Sequence, residues 1–261
     1  MNQQNKKAQN ISLLLITKNE SENLKANFNW LSICPIINEL IVIDDNSTDN
    51  TKEVLKSLEA KTLKVKIFSR GLGNDFSSQR NFGLKKCENN WILWLDADEK
   101  PENKMIEFLN SFDFSGSNYS FKRNDIFLGH QLKHGETSNL SFVRLFNKNH
   151  GSFKNRVHEV WQSSFPTINT NHHIFHCSHK TFYSLISKIN FYTTIRSQEL
   201  FDTKRTINIL EIIFYPPGKF IQNYFLRLGF LDGTAGIIMA LSMSFHSFLV
   251  KAKLWHLYQA S

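Results

Sequence analysis

Residues 91–100 read WILWLDADEK, an apolar run of strand character followed by Asp96, Asp98 and Glu99 within four positions. A run this apolar suits a strand covered on both faces. Carboxylates this close together repel one another and resist burial unless something neutralises them. A divalent cation, a basic partner, or plain solvent at a strand end would each do so. The rest of the chain has to choose.

The same texture recurs upstream. ISLLLIT (11–17) and ELIVIDD (39–45) are buried-strand runs, and KVKIF (64–68) is a third strand. KNESENLKANFNWLSI (18–33), NSTDNTKEVLKSLEA (46–60) and DFSSQRNFGLKKC (75–87) read as the helices between them. Leu24, Phe28 and Leu31 share one helical face, and Val54, Leu55 and Leu58 another. Asn19 or Ser21 is placed to cap the first helix, and Thr48 or Asp49 the second. Repeated strand–helix alternation predicts an α/β fold with a mostly parallel sheet flanked by helices. In such sheets the ligand site lies off the carboxyl ends of the strands. The acids at 44–45 and 96–99 both fall there, where a site belongs and a core does not.

The bulk numbers permit one large domain with an extension: 261 residues, 41% apolar and 21% charged. A net charge of +8 suits a polyanionic partner, whether nucleotide phosphates, anionic lipid or nucleic acid. The basic residues are scattered, not clustered with stacking aromatics, which argues against nucleic acid. Cys34, Cys87 and Cys177 form no CxxC, so a reducing compartment is expected. The opening MNQQNKKAQN is polar and runs straight into a strand, without a signal-peptide pattern, which makes a cytoplasmic protein the expectation.

From about 118 the strands become shorter, more polar and rich in Arg, Lys and His. They are assigned to the same domain, 1–181, with a nucleotide half at about 11–100 and an acceptor half at about 101–181. Residues 182–261 form a C-terminal helical extension, which YPPGKF (215–220) is expected to break. GKFIQNYFLRLGFL (218–231) gathers Phe220, Ile221, Tyr224, Phe225, Leu228 and Leu231 on one helical face. GTAGIIMALSMSFHSFLV (233–250) is 18 residues without Asp, Glu, Lys or Arg, where a bilayer span needs roughly 20 apolar ones. An interfacial hairpin with Lys251, Lys253 and Trp255 at the headgroups fits better than a span. The expected location is peripheral, at the inner face of the cytoplasmic membrane.

Asp96 and Asp98 set two carboxylates close together at the end of an apolar strand. One can reach a metal while the other reaches a sugar hydroxyl or a metal-bound water. Mg²⁺ or Mn²⁺ suits such oxygen ligands and shares them with a substrate diphosphate. HHIFHCSH (172–179) is dense in histidine, yet a structural zinc wants four converging ligands and no second cluster appears.

ITKNE (16–20), IVIDDNSTDNT (41–51), QRNFG (79–83) and LDADE (95–99), in this order and spacing, resemble the inverting nucleotide-sugar glycosyltransferases of family 2, with the GT-A fold. VRLF (143–146), RVHE (156–159) and FLRLGFLDGTAG (225–236) resemble the subgroup that adds glucose or a related hexose to the inner core of lipopolysaccharide. The resemblance implies a UDP-sugar donor and a glycolipid or oligosaccharide acceptor. Thr17 and Glu20 would line the nucleotide pocket, and Asp44, or else Asp45, would accept a hydrogen bond from the base. Arg80 would approach the diphosphate or ribose. Asp96 would meet the donor, and Asp98 with His176 would hold the metal. Glu159 is the candidate general base, with His158 to orient it or touch the diphosphate, and Glu136 is its rival. ETSNLS (136–141) departs from the family pattern and leaves the acceptor open. Two alternatives stand beside this one: a polyprenyl-phosphate glycosyltransferase and a non-catalytic nucleotide-sugar-binding scaffold.

Overall fold

Strands form where the apolar runs are continuous, and both faces of those strands find cover. The computed structural model describes residues 9–60, 62–136, 138, 140–156, 159–179 and 181–259, with only the backbone of 178–179. The chain divides into two compact units, one of residues 1–123 and 141–176, the other of 124–140 and 177–261.

In the first unit β1 (Ile11–Thr17), α1 (Ser21–Asn27), β2 (Ile37–Asp44), α2 (Thr51–Ser57), β3 (Lys64–Ser69), α3 (Phe76–Lys86) and β4 (Trp91–Asp96) alternate as expected. β5 (Glu99–Pro101), α4 (Asn103–Asn110) and β6 (Asn118–Phe127) follow. After β7 (His130–Gln131) come β8 (Leu140–Asn147), β9 (Gly151–Lys154), β10 (Val160–Ser163) and β11 (Thr167–His179). The sheet order is β3-β2-β1-β4-β8-β6-β11-β5, while β9 and β10 make a separate pair. β1 to β4 are mutually parallel; β8 joins β4 antiparallel, pairing Leu93 with Leu145.

Alternation along the strands builds two cores. Leu13, Leu15, Val42, Leu93 and Leu95 face one side, under Leu24, Val54 and Met105 of the helices. Leu14, Ile41, Ile43 and Trp94 face the other, under Leu84 of α3 and Phe153 of β9. Each fully buried side chain of this size contributes about 1.5–3 kcal/mol. α3 lies close to β1: a Cβ on Gly83 would stand 2.5 Å from Leu14 Cδ1, so glycine sets the helix–strand distance. Asp75 caps α3, accepting from Ser78 N at 2.8 Å. At α2 the expected Asp49 accepts from Thr51 N at 3.1 Å, whereas at α1 the cap is replaced by loop contacts in which Ser47 Oγ, Thr51 Oγ1 and Asp49 accept from the amides of Asn19, Glu20 and Ser21.

The second unit holds β7, paired with the end of β6, together with α5 (Phe182–Asp202), α6 (Ile209–Ile221) and α7 (Gly233–Gln259). Its core joins Phe127 and Leu132 to Leu185, Ile189 and Ala235. Asp232 accepts from the amides of Lys133 and His134 and from His134 Nδ1 at 2.8 Å. These contacts bind 124–140 to the helices, whereas the sequence-based division had left that segment in the domain ending at 181.

Two local expectations are corrected here. YPPGKF does not break the chain: α6 runs through Pro216 and Pro217. The prolines forfeit two helical N–H donors; Ser244 Oγ of α7 also donates to the Pro216 carbonyl at 2.7 Å. The single helical face expected over 218–231 is also absent. A π turn spans Gln222–Leu226, Leu228 is left-handed at φ 58°, and a 3₁₀ turn covers Gly229–Asp232.

Candidate active site

Parallel pairing in register brings the ends of β1, β2 and β4 level. Thr17 pairs with Asp44, and Ile16 pairs with Asp96. Among the described residues, three buried polar atoms near there have no hydrogen-bond partner: Thr17 Oγ1, Asp44 Oδ1 and, from α3, Arg80 Nη1. Unmet hydrogen bonds in a protein interior are costly, so three at the carboxyl ends of these strands make this a candidate ligand site.

Asp44 is fully buried, accepting from Ser47 N at 3.1 Å and pairing with Lys52 at 3.3 Å. Asp45 stands nearer the rim, paired with Lys18 at 2.9 Å and accepting from Leu72 N at 2.8 Å. Its amide donates to the Thr17 carbonyl at 2.8 Å, which ties the two strand ends together. Glu20 begins the first helix and accepts from Asn23 Nδ2 at 2.5 Å.

The acids of the 95–99 turn have separate fates. Asp96 Oδ1 accepts from Arg80 Nη2 at 2.9 Å, and Oδ2 lies 3.5 Å from Arg144 Nη2. Glu99, wholly buried, pairs with the same Arg144 and accepts from Asp96 N at 3.0 Å. Both guanidiniums lie over Trp94, at 3.8 and 3.6 Å from the ring centroid for Arg80 and Arg144. The Asp96 side chain keeps 35% of its surface open, although its carboxylate is set deep among protein atoms. That burial pushes it up, but Arg80 and Arg144 outweigh the push and hold it below the usual carboxylate range. At Glu99 burial wins over Arg144, and the carboxyl stands above its ordinary value. Basic partners therefore meet both Asp96 and Glu99.

Asp98 is the third. Antiparallel pairing of β11 with β5 sets His176 opposite Glu99, and this brings His176 Nε2 to 3.5 Å from Asp98 Oδ2. One carboxylate and one imidazole this close fit a hard divalent cation whose other ligands come from water and a diphosphate. Among the described residues no group of three metal-type side chains converges. Nearby, His172 Nδ1 lies 3.9 Å from Glu102, and the backbone amide of His173 donates to the Glu102 side chain at 2.8 Å.

Arg80 links these groups to Glu159, whose Oε1 accepts from Arg80 Nε at 2.6 Å. Although burial alone would lower it, the Arg80 pKa is raised by the two carboxylates that bracket it. His158 lies outside the described residues. Glu136 belongs to the second unit, where Lys219 at 2.7 Å and Asn223 at 3.2 Å engage both its oxygens. Burial raises the Glu136 carboxyl, and those partners more than reverse it. Thr17, Asp44, Asp45, Arg80, Asp96, Asp98, Glu159 and His176 thus all lie in the first unit. Arg144 and Glu99 were missed as site residues. The available signal was an arginine interrupting the apolar VRLF strand, one step past the Leu93–Leu145 pair.

A family model described as Glycosyl transferase family 2 matches residues 12–171. An uncharacterised glycosyltransferase of Rickettsia typhi is 27% identical over 265 residues, covering 94% of this chain and 86% of that protein. A protein of Rhizobium meliloti described as lipopolysaccharide core biosynthesis glycosyltransferase LpsC is 23% identical over 252 residues, covering 94% and 92%. Among solved structures, the mannosyltransferase PcManGT of Pyrobaculum calidifontis, in complex with GDP-Man and Mn²⁺, aligns with a TM-score of 0.55. That alignment covers 96% of this chain and 88% of that one at 11% identity, and it shows a shared fold.

Proposed function

This chain belongs to glycosyltransferase family 2, and on that premise we propose that it moves a hexose, glucose first among the candidates, from a UDP-sugar to a hydroxyl of the lipopolysaccharide inner core or a similar cell-envelope glycolipid. The observation that carries this reading is the Asp98–His176 pair, together with Thr17 Oγ1 and Arg80 Nη1, which are buried without hydrogen-bond partners among the described residues. The match to LpsC along most of both chains supports the acceptor class.

In this proposal Thr17, Glu20 and Asp45 receive the nucleoside. Asp45 is better placed than Asp44 to meet the base, because Asp44 is sealed behind Ser47 and Lys52. Arg80 offers its free Nη1 to a phosphate oxygen. Asp98 and His176 would hold Mg²⁺ or Mn²⁺, which supplies positive charge to the departing diphosphate. Glu159 takes the proton of the acceptor hydroxyl as that oxygen attacks the anomeric carbon from the face opposite the diphosphate. The new carbon–oxygen bond forms, the bond to the phosphate oxygen breaks with its electron pair, and configuration inverts. Arg80 holds Glu159 and Asp96 in one geometry and sets the base against the donor.

A lipid-anchored acceptor stays in the bilayer, and the second unit is suited to meet it there. α6 has no buried residue, and Ile209, Phe214, Phe225 and Leu226 are at least half exposed. Lys204, Arg205, Lys219 and Arg227 neighbour these apolar residues in the sequence. Such a surface fits peripheral docking at the inner face of the cytoplasmic membrane. α7 is the described helix long and apolar enough to cross a membrane, but within its own unit it packs against α5 and α6, which favours docking over a span.

Calorimetric titration with UDP and UDP-glucose, with and without Mn²⁺, tests the donor site. Metal-dependent binding that is lost in Asp98→Ala is the expected result. Equal binding in that variant would remove the metal role of Asp98 and His176.

A further inference from the structure

Helix α3 presents a second polar face that the transfer reaction does not use. Ser78, Asn81, Phe82 and Lys85 share a stripe at helical spacing, and Arg80 stands about 200° around the helix from Ser78. That stripe and residues 153–156 enclose an open cleft of about 540 Å³. Its cations are Arg70, Lys85, Lys154 and Arg156, against one acid, Asp75. Asp75 is occupied in capping Ser78.

These cations differ from the others near the catalytic groups. Arg80 and Arg144 are each bracketed by carboxylates, whereas none of the four in the cleft has an ion-pair partner among the described residues. Arg70 is held in place, donating from Nη1 to Gln79 Oε1 at 2.5 Å and from Nη2 to Ser78 Oγ at 2.8 Å. A guanidinium has five donor hydrogens, so that geometry leaves others for a ligand. The walls are fixed as well. Phe76 N donates to the Arg156 carbonyl at 2.9 Å, and Asn81 exchanges two hydrogen bonds of 2.9 Å with the Phe153 backbone. Arg70 is held while Lys85, Lys154 and Arg156 are exposed around it; four like charges lining one cleft repel one another, and an anion relieves that repulsion.

We propose that this cleft binds a phosphate- or carboxylate-bearing saccharide, and that it holds the acidic substituent of the acceptor while Glu159, three residues beyond Arg156, deprotonates the hydroxyl. The volume suits a phosphorylated sugar and exceeds what a bare phosphate fills. The acceptor role rests on the glycosyltransferase reading of Glu159; the anion site itself stands on the cleft alone.

The test uses the full chain with its donor site saturated by UDP and Mn²⁺. Glucose 6-phosphate and unphosphorylated glucose are titrated against wild type and Lys85→Gln/Lys154→Gln. The phosphosugar is expected to bind and glucose not, with affinity falling about tenfold in the double variant and with added salt. UDP affinity should be unchanged. Equal phosphosugar binding in the variant, or none with UDP present, would overturn the proposal, as would direct competition between UDP and phosphosugar. If UDP fails to bind while phosphosugar binding stays sensitive to the double variant, the donor-site reading falls and the anion site stands. In a second arm, vesicles of phosphatidylglycerol in phosphatidylcholine replace the phosphosugar. Weakened vesicle binding with intact glucose 6-phosphate binding would assign the lysines to a membrane and reject the saccharide site.

Discussion

Replacing Arg144 with Met should expose how the acidic turn is held. Arg144 and Glu99 are both buried, with 2% and 0% of their side chains exposed, so solvent screens their pairing little. Removing one partner of such a pair costs about 3–5 kcal/mol, because the other is left charged and unpaired. That corresponds to a rise of about 10²–10⁴-fold in the equilibrium for local opening. Hydrogen exchange of peptides from β4 and β8 reads this directly, without assuming that the two units unfold together. The cost should also depend on pH. Burial already holds the Glu99 carboxyl above its ordinary value, and Arg144 opposes that rise. Taking Arg144 away lifts the folded value further, so the variant's defect should grow as pH rises from about 5 to 8 and shrink on acidification. Arg144→Met/Glu99→Gln should recover most of the loss, since the amide still accepts from Asp96 N and carries no charge. Exchange in the single variant equal to wild type, or a double variant as open as the single, would refute this account of the turn.

Three further outcomes are expected. Glu159→Gln keeps the hydrogen bond to Arg80 but cannot take a proton, so UDP binding should persist while transfer falls by about 10²–10⁴; unchanged transfer would move the base elsewhere. Gly236→Ala should lower the melting temperature of the second unit, because the added Cβ would stand 1.9 Å from the Gly229 carbonyl, and overpacking of this kind costs about 1–3 kcal/mol; an unshifted melt would show that the turn yields freely. Burial pushes the Cys34 and Cys87 thiols up to about 12, so peptide mapping after iodoacetamide treatment of native protein at pH 8 should find both unmodified. Rapid labelling there would mean that the core around them opens.

The parallel half of the sheet was legible because its information is local. ISLLLIT, ELIVIDD and WILWL each declare a buried strand, and parallel pairing leaves their carboxyl ends level whatever the rest of the chain does. Asp44, Asp45, Asp96 and Asp98 could therefore be placed at the carboxyl ends of the strands without a structure. Arg144 could not. Its neighbours are settled by the antiparallel register of β8 on β4, where a one-residue slip would turn the guanidinium to the opposite face. The assignment of 124–140 was hidden for a similar reason, since Asp232 reaches back about a hundred residues to bind Lys133 and His134. Proline misled at 215–220 because the rule against it concerns an isolated helix. In α6 the loss is confined to two N–H donors, and packing against α7 holds the helix.

The crowding of acids at 96–99 then has a mixed answer. A cation alone would leave wholly buried Glu99 unexplained, and basic partners alone would leave Asp98 facing a histidine. The two solutions are nested. Arg144 and Glu99 form a buried pair that fixes the turn, Arg80 ties Asp96 to Glu159, and the turn so fixed presents Asp98 beside His176. On this arrangement a loss at Arg144 should propagate to metal-dependent UDP binding, although Arg144 is not assigned to touch the donor. Arg144→Met/Glu99→Gln separates the two effects. If the pair serves only stability, the double variant recovers UDP binding along with exchange protection. If its charge also tunes Asp96, protection returns and the affinity for UDP with Mn²⁺ does not.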